Sequence, residues 1–218
     1  ILINENNSLF KINNFKLKKK TTFKFKNSLL RKILKRLVPS ISLNIYSKQN
    51  FERLRKLLSS SKSVNKLLVI GAGIDSIQLE NFDKFESINV IYSDVSFGPR
   101  TDVICDAHDL PFKDSTFDAV VCTAVLEHVI DPYRCVDEIY RILKSKGIIY
   151  VETPFMQQVH MPPYDFNRFT FLGHRKLLRR FEEIESGVTC GPGMALAWSY
   201  RYFMLSFFES NKFLISSS

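Results

Sequence analysis

From Lys66 onward, apolar runs alternate with segments of helical periodicity, and this order predicts an α/β fold. Continuous apolar runs predict buried strands at residues 66–70, 88–92, 101–105, 117–122 and 147–152. Amphipathic spacing predicts helices at residues 75–82, 132–144 and 175–181, and an apolar, aromatic helix at 194–208. Residues 181–189 are predicted to form a sixth strand. Together these elements favour a mostly parallel sheet with helices on both faces.

The helix predicted at residues 132–144 has clear boundary signals. Pro132 suits the first turn of a helix, where its missing N–H costs nothing. Lys144 to Gly147 place cations near the end of the helix and a glycine at its cap.

The N-terminal part of the chain differs from the rest in composition. Residues 1–27 are basic and show no sustained period, so a flexible segment and a short hairpin both remain open. Residues 28–65 are predicted to hold two helices, an amphipathic one from Ser28 to Pro39 and a second from Gln49 to Leu58. The main domain is expected at residues 66–218.

Charge is unevenly distributed along the 218 residues, which carry a net charge of +9. Residues 1–66 hold 17 basic and 2 acidic residues, whereas residues 67–218 hold 14 and 20. The basic helix at 28–38 can lie on an anionic membrane surface, but packing against the domain is the favoured interpretation. No transmembrane helix or signal peptide is recognisable. We therefore expect a cytoplasmic protein, with peripheral contact at the inner membrane face as an alternative.

The four cysteines include no CxxC pair, so they are predicted to be free thiols in a reducing compartment. The sequence assigns no metal site.

The first strand opens into a glycine turn that is typical of nucleoside-binding βαβ units. In LLVIGAGIDS, Gly71 and Gly73 allow a tight turn and a close approach of the backbone to a ligand. Asp94 ends the next apolar run, 21 residues after Gly73. An acid at this distance can accept hydrogen bonds from ribose hydroxyls.

Five short segments follow one another in a fixed order: VIGAGID (69–75), YSDVS (92–96), CDAHDLPFKDSTFDAVVC (105–122), AVLEHVIDP (124–132) and RILKSKGIIYVETP (141–154). In this order they resemble the class I S-adenosylmethionine-dependent methyltransferases. The subgroup that they resemble includes ubiquinone/menaquinone C-methyltransferases and small-molecule or glycan O-methyltransferases. The resemblance covers about residues 66–190. It implies a Rossmann-like methyltransferase fold, the cofactor S-adenosylmethionine and enzymatic methyl transfer.

The resemblance also implies roles for single residues. The methionine part of the cofactor would lie over the glycine turn, Asp94 would bind the ribose, and Asp106 would bind the adenine amino group. The complete set implied to bind the cofactor is Gly71, Ala72, Gly73, Asp75, Asp94, Val95, Asp106, Ala107 and Val125.

Two positions depart from the family pattern. Val69 stands where an acid usually precedes the turn, and Asp75 replaces the third glycine. Asp75 is a candidate substitute for the missing acid. Because Ser76 stands where a dinucleotide fingerprint needs its last glycine, a dinucleotide enzyme is not favoured. Members of this fold usually end in a sixth and a seventh strand, and only a sixth is recognisable here, so a truncated C-terminus is one expectation.

The acceptor side is predicted from LEHV and from the loop Pro154 to Thr170, named the acceptor loop below. The candidate bases are His128, His160 and Asp165, with structural roles as the alternative. Glu127 is interpreted as structural. The predicted reaction is methylation of a small molecule or a glycan or lipid-linked intermediate, with oxygen as the favoured acceptor atom and nitrogen or carbon as alternatives. A non-catalytic cofactor-binding protein is one alternative. A nucleic-acid methyltransferase is disfavoured by the acidic domain. The oligomeric state is not predicted.

Overall fold

Five parallel strands form the centre of the part of the chain that the computed structural model describes, namely residues 36–38, 46–60, 64–73, 82, 88–160 and 163–205. The strands are β1 (Lys66–Ile70), β2 (Asn89–Asp94), β3 (Val103–Ile104), β4 (Phe117–Thr123) and β5 (Leu143–Glu152). Their order in the sheet is β3-β2-β1-β4-β5. This order confirms the predicted Rossmann-like α/β class.

Four helices accompany the strands within the described residues. They are α1 (Ser47–Ser60), α2 (Pro132–Ile142), α3 (Phe171–Leu177) and α4 (Pro192–Leu205). Asp131 caps α2 by accepting a hydrogen bond from the Arg134 amide, and Pro132 occupies the first turn as predicted. Thr170 caps α3 in the same way through the Gly173 amide.

Successive residues of the central strands bury opposite faces of the sheet. On one face, Leu67 and Val69 pack with Phe51, Leu54 and Leu58 of α1. On the other face, residues of β1 and β4 pack with α2 and α3, and the buried side chains there include Leu68, Ile70, Val120, Val136, Ile139 and Leu177. Helices therefore cover both faces, as the continuous apolar runs predicted.

Asp118, near the start of β4, ties three strands together. Its Oδ2 accepts the amides of Asn65 at 3.0 Å and Lys66 at 2.9 Å, and its Oδ1 accepts Lys144 Nζ at 2.7 Å. Burial opposes ionisation of this carboxyl, but the Lys144 and amide hydrogen bonds outweigh it and lower its pKa.

Arg141 of α2 holds the loop between β3 and β4. It donates to the carbonyls of Leu110 at 2.9 Å and Phe112 at 2.7 Å, and to Glu138 through two nitrogens at 2.7 and 2.8 Å. Glu138 in turn accepts the Leu110 amide at 2.9 Å. The loop is thus fixed to α2 by charge-assisted hydrogen bonds.

The predicted end of α2 at residue 144 is wrong. The helix ends at Ile142, Leu143 is extended, and β5 begins there with a register shift opposite Phe117 and Ala119. Gly147, which was predicted to cap the end of this helix, lies inside the irregular part of β5 instead. A Cβ on Gly147 would stand 2.9 Å from both Leu143 Cδ2 and the Lys144 carbonyl oxygen, so this position needs glycine for a close contact.

The helix predicted at 175–181 begins earlier, at Phe171, because Thr170 provides the cap. Residues 181–189 form no strand in the structure, so the predicted sixth strand is wrong. The segment has no buried apolar face, since Ile184 and Val188 are 66% and 71% exposed. Glu183 instead accepts hydrogen bonds from two nitrogens of Arg175, Nε and Nη2, each at 2.6 Å.

Several predicted elements lie outside the described residues. They are the segment 1–27, almost all of the helix Ser28–Pro39, and the helix 75–82 apart from Phe82. Asp75 lies outside them as well. No helix in the described part of the chain has the length and apolar character needed to cross a bilayer.

Candidate active site

Successive strands are added on one side of β1 up to β3 and on its other side from β4 onward. The segments that follow β1 and β4 meet at this reversal of the strand order. β1 has β2 on one side and β4 on the other, so chain connections run in opposite directions from this point. In open α/β sheets, ligands bind at such a point, outside the carboxyl ends of the strands. The glycine turn follows β1, and the segment 124–131 follows β4.

The glycine turn is in close contact with Val125. Gly71 has φ +80° and Gly73 has φ +64°, conformations that glycine adopts readily and L-residues rarely do. A Cβ on Gly71 would stand 2.2 Å from Val125 Cγ2, well inside van der Waals contact. The amides of Gly71 and Ala72 both donate to the Ser93 carbonyl, at 2.8 and 3.1 Å. These contacts fix the turn between the ends of β1, β2 and β4.

Asp94 ends β2 and faces the glycine turn. Its Oδ2 accepts the Gly73 amide at 2.8 Å, and its Oδ1 accepts both the amide and the hydroxyl of Ser96. The side chain therefore caps the turn in the structure. Next to it, Val95 is 71% exposed at the end of β2.

Asp106 follows β3 and is bound to His108. Its Oδ1 accepts the His108 amide at 2.9 Å and lies 2.6 Å from His108 Nδ1, while His108 Nε2 accepts the Asp131 amide at 3.1 Å. These hydrogen bonds require the His108 hydrogen on Nδ1. The amide hydrogen bond from His108 lowers the pKa of Asp106 despite partial burial. Ala107 is buried beside it.

Val69 is buried in the core of the sheet, so no acid precedes the glycine turn at this position. Of the residues implied to bind the cofactor, the described ones all lie at the carboxyl ends of β1 to β4 or in the loops that follow. Their binding roles stay predictions, as does that of Asp75.

His128 lies one turn beyond Val125 in the segment after β4. Its amide donates to the Val125 carbonyl at 2.8 Å, so it belongs to the same turn. Its ring Nδ1 is bound to the Tyr164 carbonyl oxygen of the acceptor loop. Because a carbonyl oxygen only accepts, Nδ1 carries the hydrogen and Nε2 keeps a free lone pair. That Nε2 lies 3.8 Å from Glu127 Oε1.

The acceptor loop is docked on the turn that contains Glu127 and His128. The amides of Phe166 and Asn167 both donate to the Glu127 carbonyl, at 2.8 and 3.0 Å. The Asn167 side-chain amide donates to the Val129 carbonyl at 2.8 Å. The loop after β5 and the turn after β4 therefore form one unit.

Asp165 and Arg168 hold His160 inside this unit. Asp165 is buried, accepts two Arg168 nitrogens at 2.5 and 2.8 Å, and accepts the His160 amide at 2.8 Å. The Arg168 hydrogen bonds hold the pKa of Asp165 at about 2. Burial lowers the pKa of His160. The rings of His160 and His128 meet edge to face, with centroids 4.8 Å apart.

The structure thus brings together all three predicted catalytic residues, and of these His128 and His160 each keep a free ring nitrogen. Asp165 has its carboxylate oxygens engaged by Arg168 and His160, which favours a positioning role over that of a base. The catalytic assignments of all three stay predictions.

The part of the chain that carries this site is similar to known proteins. Residues 68–151 match the family model of a methyltransferase domain. Residues 68–151 therefore form a methyltransferase domain similar to those of class I S-adenosylmethionine-dependent methyltransferases. The matched part of this methyltransferase domain runs from β1 to β5 and includes both the glycine turn and the LEHV segment.

Curated relatives of the methyltransferase domain align with only part of their length. An uncharacterized protein of Methanocaldococcus jannaschii is 36% identical over 116 residues, which are 50% of this chain and 50% of that protein. A ubiquinone/menaquinone biosynthesis C-methyltransferase of Haemophilus ducreyi is 33% identical over 108 residues, 48% of this chain and 39% of that protein. The aligned part of the chain thus spans about half the length of these relatives, or less.

Solved structures also resemble the methyltransferase domain. One is an S-adenosylmethionine-dependent methyltransferase from Archaeoglobus fulgidus, with 18% sequence identity, a TM-score of 0.46 and coverage of 74% of this chain and 87% of that chain.

Glu127 was interpreted as structural from the sequence, but its surroundings in the structure are unusual for a structural carboxylate. The residue is completely buried, and neither carboxylate oxygen has a hydrogen-bond partner among the described residues. Burial raises its pKa to about 7. The available signal was a carboxylate inside an otherwise apolar LEHV run, directly before a histidine. A buried acid of this kind needs a partner or a proton.

Proposed function

We propose that this protein uses S-adenosylmethionine to methylate an oxygen atom of a small molecule or of a glycan or lipid-linked intermediate. One series of contacts carries the proposal. The glycine turn, where the methionine end of the cofactor is expected, contacts Val125, and Val125 is bound to His128. A histidine whose ring has a free lone pair is thereby held in the same turn as Val125, beside the expected cofactor site.

The chain's own residues fit the cofactor. The Asp94 carboxylate has lone pairs beyond those that accept Gly73 and Ser96, so it can also accept ribose hydroxyls. The exposed Val95 provides an apolar surface for a purine ring. When bound, S-adenosylmethionine supplies a methyl group on a positively charged sulfur, which is already an activated leaving group.

The acceptor loop and the LEHV turn would hold the acceptor on the other side of that methyl group. The acceptor hydroxyl loses its proton to a group at the site, its oxygen forms a bond to the methyl carbon, and the carbon–sulfur bond breaks. His128 or His160 would receive the proton or position the hydroxyl. Alignment and exclusion of water supply the rest of the rate enhancement.

Cofactor binding is the first test of this proposal. Calorimetric titration of the full chain with S-adenosylhomocysteine should show binding that Asp94→Ala weakens by at least about 10-fold, because each lost hydrogen bond to a charged group costs about 1.5–3 kcal/mol. Asp137→Ala is the matched control, since it removes an exposed acid of α2 that pairs with Arg180. Equal binding by the two variants would contradict the assignment of Asp94. A folded chain that binds no cofactor would favour a non-catalytic protein.

The methylated atom distinguishes the proposal from its nearest alternative. Two of the curated relatives carry the name C-methyltransferase, so carbon is the alternative acceptor atom. The cluster of imidazoles favours oxygen, since a hydroxyl must lose its proton. An acceptor screen with sugars and lipid-linked glycans, followed by NMR of the methyl carbon, would separate a methyl ether from a C-methyl product.

Membrane contact through residues 28–38 belongs to the proposal as well. Of this segment the structure describes only residues 36–38, where Arg36 and Leu37 are exposed. We propose peripheral binding to anionic lipid as a means to reach a lipid-linked acceptor. Flotation with anionic vesicles, with and without Arg31, Lys32, Lys35 and Arg36 replaced by glutamine, tests this contact. Flotation that does not change would exclude it.

A further inference from the structure

Three side chains at the acceptor side offer ligand atoms to one point. One atom each from Glu127, His128 and His160 lies within 4.8 Å of the other two. In a tetrahedral site with metal–ligand distances near 2.1 Å, ligand atoms lie about 3.4 Å apart. The separation of 3.8 Å between His128 Nε2 and Glu127 Oε1 is already close to this value. The other separations, which are at most 4.8 Å, would have to shorten by up to about 1.4 Å when the ion binds.

Each imidazole is oriented as metal-bound histidines usually are. His128 Nδ1 donates to the Tyr164 carbonyl oxygen, and His160 Nδ1 lies 3.2 Å from the Gln158 carbonyl oxygen. A second group near His160 Nδ1 is Arg168 Nη2, at 3.4 Å. The hydrogens of that nitrogen are directed at Asp165 Oδ2 and the Gln158 carbonyl instead. Both rings therefore keep their hydrogen on Nδ1 and have Nε2 available for a ligand.

Glu127 provides an independent observation that points to a cation at this cluster. Its side chain is 1% exposed, and neither oxygen is hydrogen-bonded within the described part of the chain. A buried carboxylate without a partner is strongly disfavoured. A cation between Glu127 and the two imidazoles would satisfy it.

We infer that Glu127, His128 and His160 bind a divalent first-row transition-metal ion, with coordination positions left open on the acceptor side. Two imidazoles and one carboxylate suit zinc, iron, cobalt or nickel, whereas magnesium and calcium prefer oxygen ligands. No metal was expected from the sequence, because the two halves of this site are 32 residues apart and meet only when the acceptor loop docks.

The role of this ion rests on the proposed function, although its binding does not. An acceptor hydroxyl that coordinates the ion is acidified, and its proton passes to solvent. The resulting oxygen anion then attacks the methyl carbon as the carbon–sulfur bond breaks. In this form of the mechanism the two histidines hold the ion and do not themselves act as bases.

Metal binding can be tested without activity. The full chain, free of any histidine tag and stripped with chelator, is titrated with Co²⁺, and the visible ligand-field spectrum is recorded; competition with Zn²⁺ gives the affinity. Glu127→Gln and His160→Gln are the test variants. His174→Gln is the matched control, since it removes a half-buried histidine outside the cluster. Circular dichroism confirms folding, and S-adenosylhomocysteine binding is measured on each preparation.

We expect a single bound Co²⁺ whose affinity falls by more than about 100-fold in Glu127→Gln and His160→Gln, since even changes to groups behind the ligands cost about 10–100-fold. His174→Gln should bind as the unaltered protein does. A folded protein that binds no Co²⁺ or Zn²⁺ would overturn the inference, as would binding that survives both test variants. Metal binding without cofactor binding would instead contradict the proposed function and leave the metal site standing.

Discussion

Replacing Gly71 by alanine should damage the protein through one specific contact. The new Cβ would stand 2.2 Å from Val125 Cγ2, at a residue with φ +80°. Reaching an ordinary separation of about 3.4 Å requires a shift of about 1.2 Å between the glycine turn and the segment after β4. Both segments carry predicted cofactor-binding residues.

Two contributions determine the size of the effect. The left-handed backbone costs an alanine about 1–2 kcal/mol. Overpacking against Val125 costs about 1–3 kcal/mol more. The free energy of unfolding should therefore fall by about 2–5 kcal/mol. Val125→Ala removes the clashing methyl group, and truncating Val125 by itself costs about 1 kcal/mol. In the double variant we therefore expect only this cost and the backbone contribution of Gly71→Ala.

Urea unfolding of the four proteins of this double-mutant cycle measures the coupling. The double variant should be more stable than the sum of the single effects predicts, by about 1–3 kcal/mol. Gly187→Ala is the control, because a Cβ there would meet no atom within 4 Å, and its effect should stay within about 1 kcal/mol. Additive effects at Gly71 and Val125 would refute the contact, as would a cost for Gly71→Ala no larger than that of the control.

Two further predictions concern the charged groups that hold the sheet and its loops. Arg141→Met should lower the free energy of unfolding by about 2 kcal/mol in urea titrations, below the roughly 3–5 kcal/mol of a fully buried pair, because solvent reaches Arg141 and screens the loss. Asp118, whose pKa is lowered in the folded state, contributes stability that is present above its unfolded pKa of about 3.9. This stability should be lost as the pH falls from about 3.9 through the lower pKa of the folded state. The free energy of unfolding of Asp118→Asn should fall less over the same pH range.

Each of these two predictions has a clear contrary outcome. If Arg141→Met unfolds at the same urea concentration as the unaltered protein, the hydrogen bonds to Leu110 and Phe112 do not stabilise the loop. If Asp118→Asn loses as much stability in acid as the unaltered protein, other carboxylates account for the acid sensitivity.

The two central strands, β1 and β4, could be predicted from the sequence because they are buried on both faces. Apart from Lys66, Asp118 and Thr123 these two strands are apolar, and their positions were predicted to within a residue. The predicted boundaries are wrong where a contact with another part of the fold determines where a helix or strand begins or ends. Thr170 starts α3 before its apolar pattern begins, and pairing with Phe117 draws Leu143 into β5 instead of α2.

The site could be predicted only in part, since its halves come from distant segments. The order of the motifs indicated Asp94, Asp106 and His128 one by one. The apolar LEHV run indicated a buried carboxylate at Glu127, but not that its oxygens would have no hydrogen-bond partner among the described residues, because that depends on which loops cover it. The contact between the rings of His128 and His160 likewise depends on how the acceptor loop docks.

That docking has a consequence for how such a protein diversifies. The loop is attached mainly through its own main-chain amides, which donate to the Glu127 carbonyl and would do so with most side chains at these positions. Meanwhile Tyr164 and Phe166 are 62% and 47% exposed. Substitutions at these two positions would therefore change the side chains presented to an acceptor without detaching the loop. Selectivity for the acceptor could then change during evolution while the fold stays the same.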